Sequence, residues 1–314
     1  MAESRRSRLA AASVALLIVA VGGVFMVRAL AHDWAAVKAA LGDATWWLLV
    51  VGVVVAFVAV WLLGVQWHAA LGALGHHPPV VAATRWFMAG QLGKYLPGGV
   101  WHAVGVGELA ARGGVPRRPA YGSTGLSTVS LIGSAAVLVA AGGAAFRGDG
   151  VRWWTVAAAA AICGALFVPP LRRLVFRLAG AAPEAAGSAR TIAVLIGRGL
   201  PAWLCIGAAT WCVTAALGSD MAVGATVVVA VTSWLVGILA LPAPGGIGVR
   251  EAVLVLALRD EMGAGPATAA AVAARVAFIV ADVGWLPLSR LLRGASVDAP
   301  SSSPEPPTSG LTGE

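Results

Sequence analysis

Six stretches of about 18 residues or more carry no charge at all: Leu9–Val27, Trp46–Val65, Ala120–Phe146, Trp153–Leu171, Gly199–Ser219 and Met221–Leu241. A seventh, Ala264–Leu288, is apolar apart from Arg275 and Asp282. About 20 apolar residues in a helix cross the hydrocarbon core of a bilayer. A water-soluble fold of 314 residues has no interior that could hide seven such runs. The chain is 59% hydrophobic and 11% charged, against roughly 25% charged in soluble domains. Its solvent is therefore lipid. Lipid offers the backbone no hydrogen-bond partners, so helices carry the spans. The expected fold is all-α: a polytopic integral membrane helical bundle of about seven or eight spans over residues 1–293. Residues 294–314, rich in Ser and Pro and without periodicity, read as a disordered tail.

Arg5, Arg6 and Arg8 followed by the 19 apolar residues Leu9–Val27 fit a retained signal anchor better than a cleaved signal, because the run is long and no clear small-x-small site precedes His32. Basic residues alternate between loops. Arg112, Arg117 and Arg118 precede the third run, and Arg172, Arg173, Arg177, Arg190 and Arg198 lie between the fourth and fifth. The opposite loops are nearly balanced, as in Lys38 beside Asp33 and Asp43. Positive-inside places the N-terminus in the cytoplasm. The net charge of +8 follows span ends, which argues for topology and anionic lipid and against nucleic acid. Cys163, Cys205 and Cys212 lie in apolar runs without metal or disulfide spacing.

Two segments are not plain spans. Pro78–Gly114 contains Arg85, Lys94, Pro97 and Glu108; Leu241–Gly265 contains Leu-Pro-Ala-Pro-Gly-Gly-Ile-Gly-Val-Arg-Glu, ending at Glu251. Each reads as a short helix, a Pro-Gly-Gly break and a second short helix, in a re-entrant hairpin or a discontinuous helix. A helix breaks at membrane depth only where protein or a hydrated cavity satisfies the freed groups. A shift of 147 residues lays Pro97-Gly98-Gly99 on Pro244-Gly245-Gly246, Arg112 on Arg259, Pro119 on Pro266 and Gly90 on Gly237. This suggests an internal pseudo-repeat. Four of the runs lie between the two breaks, an even number, so the copies are expected to run parallel. Paired interrupted segments point to a transporter site.

The candidate binding residues follow. A helix starting near Gly248 presents backbone N–H groups and a positive dipole end. Gly245, Gly246 and Gly248 allow close approach, and Arg250 adds a guanidinium fork suited to phosphate. The sharp reading is an anion site on the cytoplasmic side of the core; the bland one is a packing break in which Arg250 and Glu251 pair elsewhere. Lys94 and Tyr95 either meet a headgroup at the mouth of the same cavity or reach the interface without a ligand. His102 reads as a satisfied polar side chain. Glu108 and Arg112, spaced i,i+4, form a local salt bridge or leave Glu108 as an ion- or proton-coupling group. Arg275 and Asp282 share a face about 10 Å apart along the axis, so each pairs with another helix. Arg275, near mid-span, reads as functional. Arg85 serves headgroup binding or topology. His68, His76 and His77 lack a carboxylate or cysteine at ligand spacing and read as a cytoplasmic loop. No nucleotide, hydrolase or zinc-protease motif occurs, and Asp260–Glu261 has no second acidic cluster, so no metal or cofactor is expected.

At these motifs the chain resembles the lysylphosphatidylglycerol synthase transmembrane (flippase-like) family. The matching residues are Gly93-Lys94-Tyr95-Leu96-Pro97-Gly98-Gly99 and Pro244-Gly245-Gly246-Ile247-Gly248-Val249-Arg250-Glu251, with Arg275 downstream. The resemblance implies a polytopic protein of the plasma or inner membrane, related to the domain that moves aminoacylated phosphatidylglycerol between leaflets, and relatives are linked to polyprenyl-phosphate glycolipids. Complete synthases continue into a soluble aminoacyl-transferase domain, where here only Gly294–Glu314 follows. The resemblance therefore implies a non-enzymatic chain, with an anionic membrane lipid and a separate lipid-modifying enzyme as partners. The family often has an acidic residue where this chain reads Ser127-Thr128-Val129, and the shift sets Thr128 against Arg275, which puts an ion pair across the halves in doubt. The expected function is flippase-like transport of an anionic phospholipid or polyprenyl-phosphate lipid. The alternatives are a membrane enzyme or subunit using Glu251 or Glu108 on polyprenyl-phosphate sugars, and a scaffold for a separate synthase.

Overall fold

The computed structural model describes residues 38–39, 41–95, 100–145, 153–181, 187–239, 246 and 248–291. Within them lie ten helices and no strand. They are α1 (Trp46–Ala73), α2 (Val80–Gln91), α3 (Trp101–Arg112), α4 (Arg117–Ala145), α5 (Trp153–Ala165), α6 (Pro169–Leu178), α7 (Ala189–Ala216), α8 (Val223–Leu239), α9 (Val249–Met262) and α10 (Ala264–Leu291). A 3-10 turn, Leu92–Tyr95, extends α2. Among the described residues, four helices (α1, α4, α7 and α10) are long and apolar enough to cross a bilayer, and five if the bent pair α5–α6 counts as one span. The run Leu9–Val27 and the tail 294–314 lie outside the described residues.

The helix bounds show the duplication. Adding 143 to the bounds of α1 gives those of α7, and both helices stop at Ala-Leu-Gly with the glycine at positive φ, +89° at Gly75 and +90° at Gly218. Adding 147 carries α2 into α8, brings α3 to within one residue of the start of α9, and sets the start of α4 on that of α10. Helices α1–α4 and α7–α10 are thus two copies of one four-helix unit.

Their relative direction is opposite to the sequence expectation. The N–H of Thr45 donates to the carbonyl of Ala216 (2.9 Å), and Gly52 packs against Ala209 and Val213. At the other end, His68 and Gly72 share a cleft with Arg190, Val194 and Arg198. Helices α1 and α7 are therefore antiparallel. Helix α10 runs with α1, since Leu49 and Val53 share a groove with Ala269 and Ala273 while Phe57 meets Gly284. Helix α4 runs against α1, with Gln66 on Ser130 and Ala70 in one cluster with Leu126. The units are inverted, not parallel. The parallel expectation counted Met221–Leu241 as a crossing, but α8 has 17 residues and folds back. A second expected span, Trp153–Leu171, is two helices bent by 71° at residues 166–168, where the Pro169-Pro170 pair starts α6. Together α5 and α6 return along α4, with Leu166 on Gly133 and Ala179 on Gly122.

Each unit encloses a helical hairpin. In the first, Trp86 meets Gly113, Gly90 meets Val106 and Gly93 meets Trp101, so α2 and α3 are antiparallel. In the second, Asp220 meets Glu261, Ser233 meets Arg250 and Gly237 meets Gly246, so α8 and α9 are too. The described residues nearest the two tips are Tyr95 and Val100 in the first hairpin and Leu239 and Gly246 in the second. Because the units are inverted, the hairpins enter the bundle from opposite ends. Small residues hold the long helices together: Ala56, Ala59, Ala202 and Ala209 are fully buried. Helix backbones approach closely there, as association in lipid requires. Bonds between helices add to this, from Trp203 Nε1 to the carbonyl of Leu131 (2.9 Å), Ser134 to that of Ile196 (2.7 Å) and Trp285 Nε1 to that of Phe57 (3.0 Å).

Candidate functional site

The two hairpin tips meet at a charged chamber. The first contributes Lys94 and Tyr95 from its 3-10 turn; the second contributes Ser233 and Trp234 from α8 and Arg250, Glu251 and Leu254 from α9. Helix α10 supplies Ala271, Ala274, Arg275, Phe278 and Asp282, and α7 supplies Thr210. The lining residues 271–282 are the middle of a 28-residue helix, so the chamber sits midway along the bundle rather than toward one end.

The geometry builds from the breaks. Gly246 and Gly248 have φ of +68° and +84°, conformations open to glycine, and the chain turns there into α9. The N–H of Gly248 does not stand open to an anion as expected: it donates to Oε2 of Glu251 (2.7 Å). Glu251 also faces Nη1 of Arg275 at 3.5 Å. Arg250 lies in a slot made by Gly237 and Gly246, at both of which a Cβ would fall within 2.7 Å of its side chain. Its guanidinium carbon sits 3.8 Å from the centre of the Trp234 ring, and its Nε is buried without a hydrogen-bond partner. Trp234 is braced edge-on by Phe278 at 5.2 Å and Trp203 at 6.0 Å.

Opposite, Lys94 Nζ lies 2.6 Å from Oδ2 of Asp282, and the Tyr95 hydroxyl donates to the same oxygen at 2.5 Å. The Asp282 side chain is fully buried and its Oδ1 has no partner. This ion pair joins the two units, which the reading of Thr128 against Arg275 had put in doubt. It runs from the first tip to the last helix.

Lys94, Tyr95, Arg250, Glu251 and Arg275 thus line one chamber, while Gly246 and Gly248 shape it. Pro97, Gly98, Gly99, Pro244 and Gly245 lie outside the described residues. Asp282, Ser233, Trp234 and Phe278 line it too, and were not among the candidate binding residues. Asp282 was legible as a group needing a partner on another helix; Trp234 is visible only once the repeat sets it against Phe87. Glu108 stands apart. It takes bonds from Arg112 Nε (3.0 Å) and the Tyr121 hydroxyl (3.1 Å), and the Arg112 bond, then the tyrosine's, holds its carboxyl below the ordinary range. His102 faces the carbonyl of Gly90 (3.4 Å) and packs edge-on to Phe87, and His68 faces that of Pro78 (2.9 Å).

Residues 12–282 match the family described as the lysylphosphatidylglycerol synthase TM region. The chain belongs to that family. The match covers the first four-helix unit and the second as far as Asp282, within α10. It makes the chain an integral membrane protein of a lipid-related family, in the membrane region and not the synthase domain. No curated protein matches the chain in sequence.

Proposed function

We propose that this member of the lysylphosphatidylglycerol synthase TM family moves an anionic phospholipid or polyprenyl-phosphate lipid between leaflets, binding its phosphate in the chamber while the acyl chains stay in lipid. One observation carries this reading. Three cations, Lys94, Arg250 and Arg275, face two carboxylates, Glu251 and Asp282, leaving one positive charge in excess. None of the residues at positions 96–99, 240–245 and 247 is ionisable, so the nearby tips cannot balance it. An unbalanced charge at this depth is costly, and a monoanionic phosphodiester cancels it. Arg250 and Arg275 are the phosphate ligands, and Lys94 joins them.

The inverted units supply the motion. Two hairpins from opposite ends, meeting at a fixed central site, suit alternating access by rocking one unit against the other. Orientation follows the arginines: Arg118 donates to the carbonyl of Arg177 and Arg172 to that of Gly187, gathering basic loops at one end. We assign that end to the cytoplasm of a plasma or inner membrane. The C-terminal end of α10 falls on that side, since α10 runs with α1 and the end of α1 lies beside Arg190 and Arg198.

The test is leaflet exchange of fluorescent phosphatidylglycerol in proteoliposomes, with phosphatidylcholine as control. Protein-dependent exchange of the anionic lipid, lost in Arg250→Ala and Arg275→Ala, supports the reading. Exchange unchanged in both variants removes it. The enzyme alternative has no observation of its own beyond Glu251, whose two oxygens are engaged by Gly248 and Arg275.

A further inference from the structure

Asp282, counted so far only as one of the chamber's two carboxylates, carries a further inference that rests on the flippase reading. The cavity in the chamber is about 40 Å3, room for about three waters and smaller than a lipid headgroup. Something must leave before a phosphate enters. Glu251 is tied on both oxygens within its own unit, to Gly248 and Arg275. Asp282 differs in each respect. Only one of its oxygens is engaged, and both of its partners, Lys94 and Tyr95, belong to the opposite unit.

We infer that the Asp282 carboxylate is a resident stand-in for the substrate phosphate, and that the phosphate displaces it from Lys94 and Tyr95. The exchange is anion for anion on the same donors, so those donors never face the apolar interior unpaired. Among the described residues, the Lys94–Asp282 bridge is the ion pair that ties the first hairpin tip to the second unit. Its release leaves the tip held to the second unit by the weaker ring contacts of Lys94 with Trp234 and of Tyr95 with Arg275, so headgroup binding and loosening of the tip become one event. The competitor sets specificity as well. A zwitterionic phosphocholine adds a positive charge beside three cations and displaces the carboxylate less well than a phosphodiester whose only charge is negative.

The test is equilibrium binding of dioctanoyl-phosphatidylglycerol to the detergent-purified protein, with dioctanoyl-phosphatidylcholine alongside. Asp282→Asn keeps the shape and removes the competing charge, so it should bind the anionic probe about tenfold more tightly than wild type, about 1.4 kcal/mol. The swap Lys94→Asp with Asp282→Lys restores the bridge and should bring affinity back toward wild type. Asp282→Ser, which also removes the competing charge and should show the same gain over wild type, takes its place if Asp282→Asn is too unstable to purify. Equal or weaker binding by Asp282→Asn, or a swap no weaker than Asp282→Asn, overturns the competitor role. If wild type binds and Arg250→Ala does not, the flippase reading survives that result. Absence of binding by wild type and by every variant overturns both.

Discussion

Gly90 and Gly237 occupy the same place in the two units, yet alanine at each should fail in a different way. At Gly90 a Cβ would lie 2.6 Å from the backbone nitrogen of Val106 and 2.4 Å from its Cγ2. Backbone cannot step aside, so α2 and α3 must separate. Overpacking of this kind costs about 1–3 kcal/mol. At Gly237 the Cβ would lie 2.5 Å from Cγ and 2.6 Å from Nε of Arg250, both side-chain atoms. Ordinary carbon contacts are about 3.5 Å, so the arginine must move by about 1 Å. That takes its guanidinium off the Trp234 face, where it stacks at 3.8 Å. A desolvated contact of this type is worth about 2 kcal/mol. Gly90→Ala should therefore lower the thermal midpoint in detergent while leaving anionic-lipid affinity, in the protein still folded, near wild type. Gly237→Ala should lose about tenfold or more in that affinity, the equivalent of about 1.4 kcal/mol, with the smaller loss of stability. Thermal unfolding and dioctanoyl-phosphatidylglycerol binding, measured on the same preparations, separate the two. Gly237→Ala with wild-type affinity would refute the proposed part of Arg250 in lipid binding.

Antiparallel packing of α1 and α7 has a covalent test: a Cβ at Gly52 would sit 3.3 Å from that of Cys212. This is close to disulfide reach, so Gly52→Cys, with Cys163 and Cys205 changed to alanine, should block alkylation of Cys212 after oxidation. Free alkylation of both thiols would argue against the packing. Gln66→Leu removes a buried amide that donates to Ser130 (2.9 Å) and accepts from Ser127 (2.6 Å). It should lower stability by about 1–2 kcal/mol without altering lipid exchange, as thermal unfolding and the exchange assay would show. Glu108→Gln should leave exchange intact at neutral pH; loss of exchange would instead make Glu108 a coupling group. Because its carboxyl is held below the ordinary range, the pair with Arg112 contributes above that range and fades as pH falls through it. The stability difference between Glu108→Gln and wild type should therefore shrink in acid.

The apolar runs were enough to locate α1, α4, α7 and α10, because a bilayer demands length and apolarity and little else. They were not enough for α8. Met221–Leu241 is as charge-free as a span, and only its partner α9 reveals a hairpin arm. That one misreading reversed the inferred direction of the repeat. The bend between α5 and α6 had a signal in Pro169-Pro170, masked by the apolar Phe167 and Val168 before it. In the chamber, the breaks and the need of Arg275 and Asp282 for partners on other helices were legible. Which partner each takes was not: Lys94 and Asp282 are 188 residues apart, and their meeting follows from inverted hairpins that no local pattern encodes. The spacing did suggest helix-end N–H groups as the anion cradle, but Glu251, three residues after Gly248, fills that role.

The central claim, that two opposed hairpin tips enclose a phosphate-binding chamber with one excess positive charge, is tested most directly by an experimental structure in nanodiscs of phosphatidylglycerol. A phosphate within hydrogen-bonding distance of Arg250 and Arg275, with Lys94 turned toward it, is the expected result. Hairpin tips far apart, or lipid phosphate bound only at the basic end of the bundle with the chamber holding water alone, would contradict it.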